Sequence, residues 1–345
     1  MSESSDKSQS KVRGFTWTVG DHALLSSSDV WGEALVEAGR ADPRIVTVTA
    51  DLAETTRLQE FKRAFPERAI NVGIAEQNLV AVAAGLAAMG LVPVVCTYAT
   101  FAVLRAAEFV RTDLGYGRRN VKLIGTLAGV AYGQGGPTHH AAEDLALLRA
   151  VPELVILAPS DGFEMAAALR AAIAHEGPVY LRWGRGTETP DASKRDAPFV
   201  IGPMQERVGG SDVTVLAYGP TVQEAERAAR RAQRAGVSTR VLAAPTLAPL
   251  DRDSIVCAAK ETRRLITVED HSIVGGLASA VAETVARAGL AVRLASLGHR
   301  ERYLPMGVPE DLMAIGGFDE DAIYEEILRV CRVAAPTADD DWEDR

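Results

Sequence analysis

The chain has 345 residues and a formal net charge of −9 at pH 7; 47% of its residues are hydrophobic and 24% are charged. This length is enough for two domains with large cores, and the composition is typical of a soluble globular protein. The acidic balance argues against a general nucleic-acid-binding protein. Gly and Pro interrupt the apolar runs before they reach the length of a membrane span, so no membrane role is expected.

The chain ends and the cysteines indicate a cytoplasmic protein. Residues 1–14 are polar and lack the apolar core of a secretion signal, so a disordered lead-in is expected over 1–20. The acidic segment 334–345 is expected to be a solvated tail. The cysteines are far apart without metal or redox spacing, as expected of reduced thiols: Cys96, Cys257 and Cys331.

Short strand-like runs alternate with helical patterns along the first part of the chain, 21–187. Strands are predicted at 45–49, 92–97, 121–126, 154–158 and 179–182, and helices near 29–38, 76–89, 101–114, 141–150 and 163–175. Val- and Ile-rich strands separated by helices predict a doubly wound α/β domain with a mostly parallel sheet.

A polar stretch with Pro190 and Pro198 predicts a linker over 188–205, and a second alternating unit follows over 206–333. Its strands are predicted at 213–217, 239–242, 264–268 and 292–296, and its helices near 222–235, 251–259, 276–288 and 319–330. The sequence therefore predicts a second, smaller doubly wound α/β domain.

Glu76 stands at the start of an apolar helical run that extends over 79–89. A carboxylate in the first turn is favoured by the helix dipole, but its burial is costly unless a partner binds it. A capping role and a functional role are equally compatible with this segment alone.

A glycine-rich segment at 133–140 ends in His139 and His140, which are candidates for proton transfer or for binding a substrate oxygen. A simple turn with exposed histidines is the alternative. Phe101 follows Tyr98 and Thr100 at the end of a predicted strand, where an aromatic ring could stack on a planar ligand or simply join the core.

Two further groups leave alternatives open. Arg182, at the end of a predicted strand, is a candidate for binding an anionic substrate group, or a surface residue. The segment Glu269-Asp270-His271-Ser272 looks catalytic, but a capping cluster at a helix start explains it equally well.

These segments occur in an order that resembles the pyrimidine-binding domain of transketolases, and they are also similar to 1-deoxy-xylulose-5-phosphate synthase. They are Thr-Ala-Asp-Leu at 49–52, Gly-Ile-Ala-Glu-Gln at 73–77, Thr-Phe at 100–101, Gly-Pro-Thr-His at 136–139 and Ala-Pro-Ser-Asp at 158–161. Pro-Leu-Asp at 249–251 and the segment 268–276 resemble the transketolase C-terminal domain. The resemblance extends over about 21–333.

The resemblance implies thiamine diphosphate as cofactor. Glu76 matches the family's catalytic carboxylate, which bonds the N1′ nitrogen of the aminopyrimidine, and the cofactor carries the difficult chemistry. Phe101 is implied to pack on the pyrimidine ring, with Tyr98 and Thr100 beside it. His139 is implied to bond donor oxygen atoms near the reacting carbon. The remaining residues implied to bind substrate are Asp51, Thr55 and Arg182.

Family members hold the diphosphate through a metal ion bound by a Gly-Asp-Gly motif, which this sequence lacks; Ser160-Asp161-Gly162 is only superficially similar. The sequence thus resembles the C-terminal half of a split transketolase. We expect an N-terminal-half partner subunit that holds the diphosphate and Mg²⁺ or Ca²⁺, in an α2β2 heterotetramer. The expected reaction transfers a two-carbon ketol unit from a ketose donor to an aldose acceptor, with sugars or sugar phosphates as substrates.

The sequence departs from ordinary transketolases around the substrate. Leu127 replaces an expected His, Gly135 replaces an acidic residue, Ser28 or a neighbour replaces an Arg, and Thr55 stands where a phosphate-binding Ser is usual. Each lost buried contact would weaken sugar-phosphate binding by roughly 1–3 kcal/mol. A modified or non-phosphorylated acceptor is therefore expected.

Three other functions remain open at this point. The β-subunit of a 2-oxoacid dehydrogenase has the same two domains and a similar Glu, although Gly-Pro-Thr-His and Gly-Ile-Ala-Glu-Gln favour the transketolases. A synthase of the deoxy-xylulose type would normally carry all its domains in one chain. A non-catalytic subunit is disfavoured by the presence of Glu76, Phe101 and His139.

Overall fold

The computed structural model describes residues 27–184, 197–300 and 302–332. The predicted lead-in over 1–20, the tail over 334–345 and the part 188–196 of the predicted linker lie outside the described residues. The described chain forms two α/β units, which confirms the predicted fold class.

The first unit is a seven-stranded sheet that is parallel except at one edge. Its strands from the first part of the chain are β1 (Ile45–Thr49), β2 (Ala69–Asn71), β3 (Val92–Tyr98), β4 (Lys122–Thr126), β5 (Val155–Leu157) and β6 (Val179–Arg182). Its helices are α1 (Ser27–Ala41), α2 (Gln59–Ala64), α3 (Glu76–Ala88), α4 (Ala107–Phe109), α5 (Asp144–Leu148) and α6 (Gly162–Ala174). Strands β1 and β3 are buried along their whole length because helices cover both faces.

The second unit is a five-stranded sheet with the order β12-β11-β8-β9-β7. Its strands are β7 (Gln205–Val208), β8 (Val213–Ala217), β9 (Thr239–Ala243), β11 (Arg264–Ser272) and β12 (Arg293–His299). Its helices are α7 (Thr221–Arg234), α8 (Arg252–Thr262), α9 (Leu277–Arg287), α10 (Pro309–Gly316) and α11 (Glu320–Cys331). Strand β7 is antiparallel to β9, and the other pairs are parallel.

The two units are joined by a shared core and by one exchanged strand. Strand β10 (Thr246–Ala248) follows β9 in the chain but pairs antiparallel with β5 of the first sheet. One apolar cluster contains Leu145 and Tyr180 of the first unit together with Tyr218 and Leu277 of the second. This continuous apolar contact packs the two units against each other.

The structure differs from the predicted elements where local patterns are short. Strands β2, β7 and β10 and helices α2 and α10 were not predicted, since segments of three to eight residues show too little periodicity. Helix α5 is shorter than the predicted 141–150, and β11 extends beyond the predicted 264–268. Within the described ranges, no helix combines the length and apolar character needed to cross a bilayer.

Candidate functional site

The candidate site lies at one edge of the first sheet. Strands β1, β2, β3 and β4 are mutually parallel, so their carboxyl ends reach the same edge. Glu76 follows β2, Tyr98 ends β3 and the loop with His139 follows β4. Ligands of open parallel sheets bind at this edge, which is how residues distant in sequence converge.

Glu76 is the first residue of α3 and is only 2% exposed. The turn before it is set by Asn71, whose Oδ1 accepts hydrogen bonds from the backbone N–H groups of Asp51 and Gly73, each at 3.0 Å. Gly73 has a φ of +76°, which glycine adopts without strain. This turn delivers the carboxylate to the interior rather than to the surface.

The Glu76 carboxylate has no partner in the described part of the chain. Its Oε2 is buried without a hydrogen bond, and Ala75 at the N-cap contributes no side-chain cap. A buried, unpaired polar atom costs free energy. This observation disfavours a capping role and points to a ligand that supplies the missing hydrogen bond.

An aromatic cluster occupies the neighbouring strand ends. Tyr98 and Phe101 stack with ring centroids 5.8 Å apart and an interplanar angle of 26°. His139 meets the rings edge-on, with its centroid 5.4 Å from Phe101 and 5.3 Å from Tyr132. Tyr132 was not singled out from the sequence, because an isolated Tyr in a glycine-rich loop carries no distinguishing pattern.

Phe101 begins a π-helical turn, Phe101–Arg105, that packs against α3. Such turns are rare and often occur at functional sites, since the wider winding redirects side chains. Thr100, immediately before it, is 3% exposed. The structure thus brings Tyr98, Thr100, Phe101 and His139 together, beside the helix that begins with Glu76.

His139 is half-buried, and its ring orientation is set locally. Nδ1 lies 2.9 Å from Oγ1 of Thr138 and 3.2 Å from the carbonyl oxygen of Gly135. Because a carbonyl can only accept, the bond to Gly135 requires a hydrogen on Nδ1 and leaves Nε2 for other partners. His139 is therefore positioned to accept a hydrogen bond or a proton at Nε2.

The second unit holds the loop that carries His139. The Asp270 carboxylate accepts a hydrogen bond from the N–H of Val130, with 3.1 Å to Oδ1. The N–H of Gly307 donates to the carbonyl of Gly133 at 3.1 Å. Gly129 has a φ of +62°, and a Cβ there would lie 1.7 Å from the Asp270 carboxylate. These contacts show that the loop is shaped by residues far away in the sequence.

Arg182 has a different environment from the one predicted. It is 3% exposed, and its Nε donates to Asp144 at 2.9 Å. Its Nη2 donates to the carbonyls of Asp270 at 2.7 Å and Ala141 at 3.1 Å. Internal acceptors engage Nε and Nη2 in a buried link between the two units. This environment disfavours the predicted role in binding an anionic substrate group, which stays a prediction.

Asp51 and Thr55 lie at the carboxyl end of β1. Asp51 is exposed with a φ of +63°, and its Oδ1 accepts a hydrogen bond from Nδ2 of Asn71 at 2.9 Å. Thr55 is exposed, and its hydroxyl donates to the carbonyl of Leu52 at 3.2 Å. Both are open to solvent at the sheet edge, and their substrate-binding roles remain predictions.

Glu269, from the segment that the sequence left open, and Asp161 both cap helices. Glu269 is buried and accepts hydrogen bonds from the N–H groups of Leu277 and Ala278 at 2.8 and 2.9 Å, at the start of α9. Asp161 caps α6 by accepting from the N–H of Glu164. Among the residues that the structure describes, no group of three or more His, Cys, Asp or Glu is placed to hold a metal ion.

The geometry defines a two-unit α/β protein with a buried, unpaired carboxylate and an aromatic cluster at the carboxyl edge of its first sheet. The sequence family described as the transketolase pyrimidine binding domain matches residues 24–188, and the transketolase C-terminal domain matches residues 202–323. The chain belongs to the transketolase family, as the resemblance of its motifs predicted.

Three known proteins illustrate the relationship. The putative transketolase C-terminal section of Methanocaldococcus jannaschii is 36% identical over 86% of this chain and 94% of its own length. An apulose-4-phosphate transketolase subunit of Phocaeicola vulgatus is 36% identical over 88% of this chain and 97% of its own length. A solved structure described as a split gene transketolase, inactive beta4 tetramer, has a TM-score of 0.80 and 36% identity, and covers 89% of this chain and 98% of that one.

Proposed function

We propose that this chain is the C-terminal-half subunit of a split, thiamine-diphosphate-dependent transketolase, and that Glu76 and Phe101 hold the pyrimidine end of the cofactor. The observation that carries the proposal is the 2% exposed Glu76 with its unpartnered Oε2. The N1′ nitrogen of an aminopyrimidine fits this atom, since it can share one proton with a carboxylate. The stacked Tyr98 and Phe101 fit a planar ring.

The chain's residues then control proton positions and orientation. When bound, thiamine diphosphate would supply the carbon nucleophile needed for chemistry at a ketose carbonyl. Glu76 holds a proton at the pyrimidine N1′, in a site from which water is excluded by burial. His139 accepts a hydrogen bond from a substrate hydroxyl at Nε2, because its Nδ1 is engaged by Gly135 and Thr138. Two-carbon ketol transfer to an aldose is the proposed reaction.

The proposed partner is an N-terminal-half subunit that holds the diphosphate and Mg²⁺ or Ca²⁺. Support comes from the relative named as a subunit of an apulose-4-phosphate transketolase and from the solved relative described as an inactive beta4 tetramer. This chain covers nearly the whole length of both relatives. We propose an α2β2 assembly with one cofactor between each pair of unlike chains.

The proposed acceptor is a modified or non-phosphorylated sugar. Arg182 is engaged with Asp144 and two carbonyls through Nε and Nη2, so these donors are not free for a substrate phosphate. Leu127 and Gly135 provide no donor or charge where the family has polar side chains. Turnover of standard pentose phosphates equal to that of other sugars by the reconstituted enzyme would contradict this part of the proposal.

The decisive experiment co-expresses this chain with its partner subunit and compares Glu76→Gln with the wild type. We expect kcat for ketose cleavage to fall by roughly 10²–10⁴-fold, as for loss of a proton-transfer group. Glu325→Gln on the exposed face of α11 is the matched control and should retain full activity. Unchanged activity in Glu76→Gln would refute the assigned role and indicate a non-catalytic subunit.

Two further measurements separate the alternatives. Assays of ketose cleavage and of 2-oxoacid decarboxylation, with the same preparation, distinguish a transketolase from a dehydrogenase β-subunit. Full ketol transfer by this chain without a partner would contradict the split arrangement.

A further inference from the structure

A pocket of about 280 Å³ lies between the two units, and the proposed function does not use it. Both units contribute polar side chains to its lining. They are His140 and Glu143 of the first unit and Ser272, His299, Arg300 and Arg302 of the second. We call this the interdomain pocket. His139 contacts the aromatic cluster, whereas the next residue, His140, lines this pocket.

His140 lines the pocket and carries an unsatisfied polar atom. Its side chain is 5% exposed, and Nε2 is buried without a hydrogen-bond partner. Burial lowers the pKa of His140, and the ring is engaged by the carbonyl of Gly133, which requires a hydrogen on the other nitrogen. Nε2 of the neutral ring therefore presents a lone pair, and it calls for a ligand with a hydrogen-bond donor.

His299 also lines the pocket, and its ring orientation is fixed. Its Nε2 lies 3.2 Å from Oδ1 of Asp270, and a carboxylate accepts the hydrogen, so Nε2 carries it. Stacking on Phe318, with ring centroids 5.1 Å apart, holds the ring in place. The lining of the pocket thus includes two imidazoles and the Glu143 carboxylate, which are the side-chain types that accept hydrogen bonds from hydroxyl groups.

The mouth of the pocket is cationic. Arg300 and Arg302 are both exposed, and neither guanidinium binds an acceptor within the ranges that the structure describes. Two arginines, each with a fork of N–H donors, suit a phosphate or a carboxylate. Ser272 is also in the lining, and its Oγ already accepts from the N–H of Val274 at 3.1 Å, which leaves its O–H to donate.

We propose that the interdomain pocket binds a small polyol with one anionic group, its hydroxyls at His140 and its phosphate or carboxylate at Arg300 and Arg302. At about 30 Å³ per water molecule, the 280 Å³ cavity accepts a ligand of roughly ten non-hydrogen atoms. The ligand would contact both units and would therefore bridge the loop that carries His139 and the second unit. This site is separate from the proposed cofactor site and does not depend on the reaction assigned to it.

The test is calorimetric titration of the full chain with glycerol 3-phosphate and with glycerate, neither of which is a ketose or an aldose. Inorganic phosphate and glycerol are titrated in parallel. We expect saturable binding of at least one hydroxylated anion at one site per chain. Phosphate alone or glycerol alone should bind at least about tenfold more weakly. Phosphate lacks the polyol hydroxyls proposed to bind at His140, and glycerol lacks the anionic group proposed to bind at Arg300 and Arg302.

Substitutions locate the binding site. The double substitution Arg300→Gln and Arg302→Gln, on exposed side chains, should weaken binding at least about tenfold, and His140→Phe should do the same by removing the acceptor. Arg287→Gln, exposed on α9, removes a positive charge from the same unit and should leave affinity unchanged. No saturable binding of either anion, equal binding of phosphate alone, or equal losses in the double variant and in Arg287→Gln would each overturn the proposal.

Discussion

Replacement of Arg182 by Met tests whether this residue links the two units. The guanidinium is 3% exposed and pairs with Asp144, which is 1% exposed, at 2.9 Å. Without Arg182, the Asp144 carboxylate stays buried with the Tyr180 hydroxyl, at 2.8 Å, as its remaining side-chain donor. The carbonyls of Ala141 and Asp270 lose a donor as well.

The expected cost is about 3–5 kcal/mol, the range for breaking a buried ion pair by removing one partner. This is a large share of the roughly 5–15 kcal/mol by which a domain is usually stable. The double variant Arg182→Met with Asp144→Leu replaces both charges by apolar groups and should recover most of the loss. Such a recovery would show that the cost arises from an isolated buried charge and not from a missing substrate contact.

The assay is urea unfolding of the full chain, followed by circular dichroism. The matched control is Arg118→Gln, whose ion pair with Glu153 has the same kind of geometry, at 2.7 Å, but 72% and 48% exposed side chains. An exposed pair contributes about 0–1 kcal/mol. A loss below about 1 kcal/mol for Arg182→Met, or a loss no greater than that of Arg118→Gln, would refute the reasoning.

Three further predictions concern stability and the His139 loop. Burial lowers the pKa of His271 to about 4, so the unfolded chain binds the proton at a higher pH than the folded chain does. The free energy of unfolding should therefore fall by about 3 kcal/mol as the pH drops from about 6.5 to about 4. His271→Gln should flatten this part of the stability profile, and an unchanged slope would contradict the prediction. Gly129→Ala places a Cβ against the Asp270 carboxylate at a φ of +62°. The substitution should lower the free energy of unfolding by at least about 2 kcal/mol and should also lower ketol-transfer activity. Full activity would show that the loop tolerates displacement. Asp319 caps α11 by accepting a hydrogen bond from the N–H of Ala322 at 3.0 Å. Asp319→Ala should therefore lower the free energy of unfolding by about 1 kcal/mol. An unchanged urea midpoint would contradict a stabilising role for this cap.

The strongly periodic elements could be predicted from the sequence. Strands β1, β6 and β8 have the bounds expected from their apolar runs. A continuous apolar run can only be accommodated by a strand or helix buried on all sides, so the local pattern already specifies burial. The order of motifs around Glu76, Phe101 and His139 likewise indicated the family that the comparisons confirm.

The long-range contacts could not be predicted in this way. Strand β10 lies in the second part of the chain but completes the first sheet, because only the packed units bring it next to β5. Arg182 looked like a substrate ligand, since a cation at a strand end has no local partner; Asp144, 38 residues earlier, meets it only after folding.

In the candidate site, too, some features follow from the sequence and others only from the tertiary structure. The residue types at Glu76 and His139 follow from the sequence, as does the glycine that permits the turn before α3. Whether the Glu76 carboxylate is a cap or an unpaired acid depends on what surrounds it, and the tertiary structure leaves its Oε2 buried without a partner among the described residues. Local sequence thus determines which groups are present, and packing determines which of them are satisfied and which still need a ligand.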